Sequence, residues 1–486
     1  MPTSASPSDP AAGYAQPWVV APGQAVALHA SLPQATKVDI VRLACVHDEL
    51  QADGQPHGAA ERIEPVPDGP TGPYGPAVQP LAPGTQVTAA CSGLPAWPDC
   101  CVVLALQRSA RGAPGHVLSL RNADDAGLRI ELAADAGAHA ALSVMVALGD
   151  TKLQLVLPAN EWLLLVLDFV DQPTQPGAWR LRARTALCRT TVPSGVPPAW
   201  HEQLLPLATL AQSAPDSLHL GSLEGGMVSA DLRLDLVSVL PAACMQVLRP
   251  ADLLADAEVA GDAGAAGDDA RPTLSPWEHA ALREPSRACL LRGRVGQGHS
   301  VQDLAARAAI TEPQRPYSAV RGIRWCGRYQ SPLQAPAHYT ALHLNSDTLL
   351  DARWAPTLSW RVPPDLASGS YAFRLRDPAR PELAPSYASF FVSAATRPQQ
   401  PLAVLLPTFT YLAYANAPED MRGERVTDTP HLAEQRLDAL HPAHGRSIYE
   451  RHRDGQGVLW ASSRRPLWSV SPGHRPWGLA ADSCLL

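Results

Sequence analysis

The chain has 486 residues, of which 46% are hydrophobic, enough for roughly three domains with buried cores. A formal net charge of −7 and scattered arginines leave no concentrated basic surface, which excludes nucleic acid as a partner. The longest apolar stretch, Trp162 to Val170, is interrupted by Asp168 and is too short to span a bilayer, so no membrane partner is expected. Residues 1–20 carry no secretory signal, which predicts a cytoplasmic protein.

The chain contains nine cysteines, an odd number with no Cys-x-x-Cys spacing. This pattern indicates neither a disulfide framework nor a zinc site. Adjacent Cys100 and Cys101 lead into the apolar run Val102 to Leu104. We therefore expect these two thiols on the two faces of one buried strand.

The first part of the chain predicts a small β module. Residues 1–13 are rich in Pro, Ser and Ala, and we expect them to be disordered. Alternation of apolar and polar residues in Ala25 to His29 and in Val38 to Leu43 predicts short strands. Residues 54–84 are dense in Pro and Gly and are predicted to form a crossing loop. Together, residues 14–84 are predicted to be an immunoglobulin-like β module ending in this loop.

Residues 85–250 carry many strand patterns at short spacing, separated by turn residues. Such a pattern predicts an antiparallel sandwich, and its rhythm resembles a jelly roll of the concanavalin-A or laminin-G type. No cluster of Asp and Asn suited to calcium is visible, so a structural role is favoured over calcium or carbohydrate binding. The predicted strands are Cys101 to Gln107, Gly115 to Arg121, Gly127 to Leu132, Ala141 to Leu148, Glu161 to Asp168, Trp179 to Arg184 and Asp231 to Val239.

A linker and a third β-rich region follow. Residues 251–275 contain mainly Ala, Asp and Gly, which predicts a mobile linker. Residues 276–398 are predicted to be a β-rich module, with strands such as Leu358 to Val362 and Ser370 to Leu375. Within this module, the amphipathic spacing of Val301 to Ala309 predicts one short helix.

The last region, 399–486, is predicted to be the start of an α/β domain. Leu402 to Leu406 has the length and composition of a buried strand, and Pro407 would end its hydrogen-bond ladder. The tyrosine-rich run Thr408 to Asn416 then follows the end of a strand, where parallel α/β sheets place their ligands. The overall expectation is a mainly β protein with a C-terminal α/β portion.

Two runs in this region carry a family resemblance: Thr-Tyr-x-Ala-Tyr-x-Asn, ending at Asn416, and Gly-Arg-Ser-Ile-Tyr, ending at Tyr449. They resemble the large (beta) subunit of the N,N-dimethylformamidase family of iron-dependent amide hydrolases. The resemblance implies a small N-alkyl amide such as N,N-dimethylformamide as substrate. It also implies one mononuclear ferric iron, a small helical partner subunit and an oligomer.

The resemblance further implies that two tyrosine oxygens and one glutamate bind the iron. The first tyrosine ligand corresponds to Tyr411 or to Tyr414, and the second to Tyr449. A phenolate is a hard oxygen donor that suits ferric iron. Packing of these aromatic side chains beneath a loop is the alternative that the residues alone leave open.

Two further residues are candidates for the chemistry. His444 could share a helical face with His441, and together with His452 these histidines could approach the tyrosines as groups that support the ligands or as a proton carrier. Asn416 could orient a substrate carbonyl or cap the following turn. A solvated loop is the alternative for the histidines.

In the family, the carboxylate ligand lies well downstream of the second tyrosine, in a His-x-Glu-Tyr-Trp-like segment that this sequence lacks. Glu450 follows Tyr449 directly, so its side chain is expected to point elsewhere. We therefore expect a truncated catalytic domain that is incomplete for catalysis, with the third ligand unassigned. The alternative function is a non-catalytic β-sandwich that binds carbohydrate or protein and carries a vestigial α/β domain; the two hypotheses differ in whether iron is bound.

Overall fold

The computed structural model describes residues 10–46, 60–122, 127–134, 142–148, 150–171, 178–189, 199–207, 213–222, 228–245, 249–254, 276–283, 285–295, 299–305, 309–314, 318–383, 385–394, 403, 405–417, 444–468 and 470. Strands dominate them, so the prediction of a mainly β protein is confirmed. The immunoglobulin-like and concanavalin-A or laminin-G labels, and the C-terminal α/β portion, stay predictions.

The strands are numbered in chain order. They are β1 (Ala12–Gln16), β2 (Val19–Val20), β3 (Ala25–Ser31), β4 (Thr36–Val46), β5 (Ala60–Pro65), β6 (Pro73–Tyr74), β7 (Gln86–Ala90), β8 (Cys100–Gln107), β9 (Gly115–Arg121), β10 (Gly127–Ala134), β11 (Leu142–Leu148), β12 (Thr151–Leu157), β13 (Glu161–Asp171), β14 (Trp179–Arg189), β15 (His201–Pro206), β16 (Ser217–Gly221), β17 (Leu232–Pro241), β18 (Cys289–Val295), β19 (His299–Asp303), β20 (Ala309–Gln314), β21 (Ser318–Val320), β22 (Ala341–Leu344), β23 (Pro356–Arg361), β24 (Gly369–Arg376) and β25 (Ser386–Val392).

The helices are short. The α-helices are α1 (Pro250–Leu254), α2 (Pro276–Ala281) and α3 (Thr408–Tyr414), and single 3-10 turns lie at Trp97–Asp99, Ala242–Met245, Pro285–Arg287 and Pro336–His338. Among the described residues, no helix is long and apolar enough to cross a membrane.

The chain forms two compact units. The first comprises Met1–Pro83, Asp347–His452 and Gln456–Leu486, and the second comprises Gly84–Ser346 and Arg453–Gly455. In the first unit, one sheet has the order β1-β3-β23 and the other has the order β2-β25-β24-β4-β5, with β6 beside β4. Their inward residues form one core, which includes Leu28, Ile40, Trp360, Phe373 and Phe390.

The second unit is a sandwich of two larger sheets. One has the order β12-β11-β10-β9-β16-β7-β20, and the other runs β15-β14-β13-β8-β17-β18-β19, with β21 and β22 attached through β17. Alternate residues of β13 serve two cores: Leu163, Leu165 and Leu167 face the core shared by both sheets, while Leu164 and Val166 face a second core. The same alternation places Cys100 in the first of these cores and Cys101 in the other, as the sequence predicted.

The β-rich region predicted as one module at 276–398 is divided between the two units. Strands β18 to β22 join the second unit, whereas β23 pairs with β3 and β24 pairs with β4 in the first. These pairings join residues more than three hundred positions apart, so local pattern could not predict them. The module predicted at 14–84 therefore forms its sheets with strands that return from 356–392.

Three local predictions were wrong. The helix predicted at 301–309 is replaced at its start by β19, because this stretch pairs with β18 in an antiparallel hairpin and a nine-residue window does not separate helical from strand spacing. The second wrong prediction concerns two segments that were expected to lack regular structure: residues 12–13 of the predicted disordered N-terminus lie in β1, and residues 251–254 of the predicted linker lie in α1. The rest of the predicted linker, residues 255–275, lies outside the described residues.

The third wrong prediction is the buried strand at Leu402 to Leu406. Of these residues the structure describes Ala403, Leu405 and Leu406, and none of them is in a strand. Leu405 is 95% exposed. The amide of Thr408 donates to the carbonyl of Leu406, so the backbone turns here into α3 and does not continue as a strand in a sheet.

A buried histidine in the second unit gives a pH prediction. His116 on β9 has no exposed surface, its Nδ1 contacts the carbonyl oxygen of Gly221, and its Nε2 lies 2.6 Å from Oγ of Ser119. A neutral ring satisfies both partners, with Nδ1 donating to the carbonyl and Nε2 accepting from the hydroxyl. Burial lowers the pKa of His116 to about 4.

The folded pKa of His116 lies below the value of the unfolded chain, so its contribution to stability is present at neutral pH. It is lost as pH falls from about 6.5 toward about 4, and the loss approaches roughly 3 kcal/mol. His116→Asn keeps an amide donor near the position of Nδ1 and does not titrate. Urea denaturation at neutral and acid pH should show a shallower loss of stability for the variant; equal losses in both proteins would contradict the prediction.

Candidate functional site

Helix α3 positions the first tyrosine run in the first unit. It begins after Pro407, whose fixed φ suits a helix entry, and ends at Tyr414. Tyr411 faces inward, where its ring stacks on Phe391 with 6.3 Å between ring centroids. Phe409, on the opposite face of the helix, is 88% exposed. The helix is therefore held by one narrow apolar face.

The structure brings Tyr414 together with Tyr449. Their ring centroids lie 4.2 Å apart with an interplanar angle of 16°, which is a stacked arrangement. A hydrogen bond between the two phenols raises the pKa of Tyr414, and burial adds to the shift. Tyr449 is 62% exposed, so one side of the pair is open to solvent.

Asn416 secures the end of the helix run. Its backbone is left-handed, with φ of 64°, a conformation that Asn tolerates better than most residues. Its side chain has no exposed surface, and Nδ2 donates to the carbonyl oxygens of His444, Gly445 and Pro466 at 3.1, 3.2 and 3.0 Å. The amide thus fixes the backbone just before the segment that carries Tyr449, at His444 and Gly445, and a third backbone point at Pro466.

The Tyr449 segment is also tied to the end of α3. Oγ of Ser447 donates to the carbonyl of Ala413 at 2.7 Å, and the amide of Ile448 donates to the same carbonyl at 3.3 Å. Ala413 directly precedes Tyr414 in the chain. These bonds place the backbone of Tyr449 beside Tyr414, which accounts for the stacking of the two rings.

Glu450 caps this segment from within. Its Oε2 accepts from the amide of Ser447 at 2.8 Å, and its Oε1 accepts from Nη1 of Arg446 at 3.2 Å. Both oxygens of the carboxylate therefore bind groups of their own segment, and the expectation that Glu450 is not the third ligand stays a prediction.

A carboxylate from a distant stretch of the chain binds both ends of the segment. Oδ2 of Asp347 accepts from Nε of Arg446 at 2.6 Å, and Oδ1 lies 2.6 Å from Nδ1 of His452. Burial raises the pKa of Asp347, but the hydrogen bonds and charges of His452 and Arg446 outweigh burial and hold it below its usual value.

A buried arginine lies beneath the segment. Nη2 of Arg465 donates to the carbonyl of Arg446 at 2.8 Å, and burial lowers the pKa of Arg465 to about 10. Gly445, with φ of 82°, passes directly over it. A Cβ at Gly445 would collide with the guanidinium and would lie 2.9 Å from the carbonyl of Leu349, so only glycine fits here.

The predicted site residues are distributed as follows. Tyr414 and Tyr449 are adjacent, whereas Tyr411 packs against Phe391 in the core of the first unit. His444 is buried, with its carbonyl bound by Asn416, and its role as a proton carrier stays a prediction. His441 lies outside the described residues.

The phenol pair fits two ligands of a hard cation. Two phenol oxygens that share a hydrogen bond lie close enough for one metal ion to take the place of the proton between them. Within the part of the chain that the structure describes, no group of three or more His, Cys, Asp and Glu side chains could hold a metal by itself. The pair therefore fits part of a ligand set with oxygen donors, and the remaining ligand is not identified among these residues.

Sequence reasoning did not identify Asp347, Arg446, Glu450 and His452 as a connected network. Asp347 and His452 are 105 positions apart, and neither belongs to a motif. The sequence pointed to two of these residues separately: Arg446 lies within the Gly-Arg-Ser-Ile-Tyr run that pointed to the family, and His452 was predicted to approach the tyrosines.

These features define a β-rich protein of two units with a pair of stacked phenols that follows a short helix. Residues 318–483 match the family described as N,N-dimethylformamidase beta subunit-like, C-terminal. This portion of the chain is therefore similar to the C-terminal part of N,N-dimethylformamidase beta subunits.

Two curated relatives show the same similarity. The N,N-dimethylformamidase beta subunit of Alcaligenes sp is 34% identical over 188 residues, which cover 35% of this chain and 24% of that protein. The protein of the same name from Paracoccus aminophilus is 32% identical over 204 residues, which cover 39% of this chain and 25% of that protein. The chain thus spans about a quarter of the length of these relatives.

Among solved structures, the native heptameric SAP-like pentraxin from Limulus polyphemus is similar over 41% of this chain and 76% of its own, with 11% identity and a TM-score of 0.19. A similarity at this level supports no statement about fold or function.

Proposed function

We propose that this chain is a subunit of an amide hydrolase of the N,N-dimethylformamidase type, in which Tyr414 and Tyr449 supply two ligands to a mononuclear ferric iron. The observation that carries the proposal is the stacked pair of phenols, which lies in the portion of the chain that matches the family. Tyr414 is proposed in preference to Tyr411, because Tyr411 stacks on Phe391 in the core.

The residues around the pair have distinct tasks in this proposal. Tyr414 and Tyr449 hold the cation through their phenol oxygens, and the open side of Tyr449 gives access to a small amide. Asn416 and Ser447 hold the two tyrosine-bearing segments together, so the oxygens stay in place without a substrate. Bound ferric iron would supply Lewis acidity, polarising an amide carbonyl and acidifying water.

Substrate and partners are proposed from the names of the relatives. Both are named as beta subunits of N,N-dimethylformamidase, which supports a small N-alkyl formamide as substrate and at least one different subunit as partner. A small helical subunit and a higher oligomer belong to the same proposal.

The proposal predicts that iron binding depends on two of the three tyrosines. Tyr414→Phe and Tyr449→Phe should each lower the iron content per chain by about tenfold or more, because each removes one anionic ligand. They should also abolish the visible absorption that a phenolate–ferric bond produces. Tyr411→Phe is the matched control and should retain both iron and colour, since its ring still stacks on Phe391.

Iron content and absorption are measured on purified chains after exposure to ferric iron under the same conditions. Loss of iron in Tyr411→Phe but not in Tyr414→Phe would move the first ligand to Tyr411. A wild-type chain that takes up no iron would overturn the hydrolase proposal and favour the non-catalytic carbohydrate- or protein-binding role.

A further inference from the structure

Asp347 contacts the Tyr449 segment from outside. The carboxylate is largely buried, and its two oxygens bind two partners, Arg446 and His452, each at 2.6 Å. Tyr449 lies midway between these partners in the chain, three residues from each. One side chain therefore joins both ends of the short run at whose centre the phenol stands.

The other contacts of this run described above each hold one part of it and do not join its two ends. The carboxylate of Glu450 bonds to Arg446 and Ser447 of the same run, so these two bonds shape the run from within. Arg465 binds the carbonyl of Arg446, at one end of the run. Ser447 fixes the middle of the run to the carbonyl of Ala413. Asp347 is thus the charged group from another part of the chain that holds both ends.

Because Tyr449 is exposed, the contact of Asp347 with Arg446 and His452 matters for the position of its phenol. A side chain that is 62% exposed has little packing of its own, and stacking between exposed rings is weak. The place of the phenol is then set mainly by the backbone of residues 446–452. A buried carboxylate with two short bonds, one of them to a permanently charged guanidinium, is a rigid anchor for such a backbone.

We propose that Asp347 is a positioning residue that holds the phenol of Tyr449 against the phenol of Tyr414. The chemical use of the pair rests on the proposed function, but the geometric claim does not. Asp347 touches neither ring through any contact described above, so its effect is transmitted through Arg446 and His452.

The test uses the chain labelled with fluorotyrosine and observed by fluorine NMR, in which stacked rings shift the signal of their neighbour. The signals of Tyr411, Tyr414 and Tyr449 are assigned from the corresponding phenylalanine variants. Asp347→Asn keeps the shape of the side chain but removes its charge. The Tyr449 signal is expected to move toward its position in the unfolded chain, and the Tyr411 signal is expected to stay in place.

Asp351→Asn is the matched control. Asp351 lies four residues further on in the same unit, and its pair with Arg464 is longer, at 3.4 Å, and more exposed. This variant should leave all three signals unchanged. Arg446→Gln removes one partner of Asp347 and should move the Tyr449 signal in the same direction as Asp347→Asn.

A general loss of structure would move the Tyr411 signal together with that of Tyr449, which would overturn a specific positioning role. An unmoved Tyr449 signal in a folded Asp347→Asn protein would do the same. Iron affinity gives a second readout, because loss of a residue that orients ligands typically weakens binding by about 10–100-fold. If no variant and no wild-type chain bound iron, the proposed function would fail, whereas the fluorine signals would still decide the role of Asp347.

Discussion

Replacement of Asn416 with alanine is expected to lower the free energy of unfolding by about 3–5 kcal/mol. The variant loses an amide donor that binds three buried carbonyl oxygens, those of His444, Gly445 and Pro466. The amide has two N–H hydrogens to share among these acceptors, and each hydrogen bond lost costs about 1–1.5 kcal/mol net, or about 2–3 kcal/mol for both. Alanine in the left-handed conformation adds about 1–2 kcal/mol, because it lacks the short polar side chain whose local hydrogen bonds let Asn tolerate this backbone. Urea denaturation followed by tryptophan fluorescence measures the loss.

Asn160→Ala is the matched control for this prediction. Asn160 has nearly the same backbone, with φ of 63°, but it lies exposed between β12 and β13. Because water can replace the contacts of an exposed side chain, its replacement should cost mainly the same conformational term, about 1–2 kcal/mol. Similar losses in the two variants would mean that the three hydrogen bonds of Asn416 contribute little. Asn416 would then not be a residue that holds the two tyrosine-bearing segments together.

How much of the candidate site could be predicted depends on what a linear pattern contains. The two runs ending at Asn416 and Tyr449 pointed to the family, which the comparisons support. The choice between Tyr411 and Tyr414 depended on helix phase, because residues three apart on a helix differ in direction by about 60°. A pattern interpreted as a strand followed by a loop could not supply that phase.

The supporting network was beyond sequence analysis for a different reason. A pair such as Asp347 and His452 forms only when two distant segments lie side by side, and neither residue has a distinctive local context. The same holds for β23 against β3. By contrast, β9 begins and ends at the predicted residues, Gly115 and Arg121, because alternation and flanking turns are local properties.

The second large effect is expected at Glu278, on α2 of the second unit. Its carboxylate is almost fully buried and binds two arginines, with 2.7 Å to Nη2 of Arg292 and 3.2 Å to Nη1 of Arg324. Glu278→Ala leaves both guanidinium groups in a buried place without their shared anion. This uncompensated charge should lower the free energy of unfolding by about 3–5 kcal/mol.

An exposed ion pair serves as the control, and removal of the whole network tests the cause. Glu131→Ala breaks an exposed pair with Arg129, 3.7 Å long, and should cost at most about 1 kcal/mol. Replacing Glu278 with Leu and both Arg292 and Arg324 with Met removes every charge while keeping most of the volume, so urea denaturation should show most of the stability restored. If this triple variant were no more stable than Glu278→Ala, the loss would come from packing around α2, and the burial of unpaired charge would not be its cause.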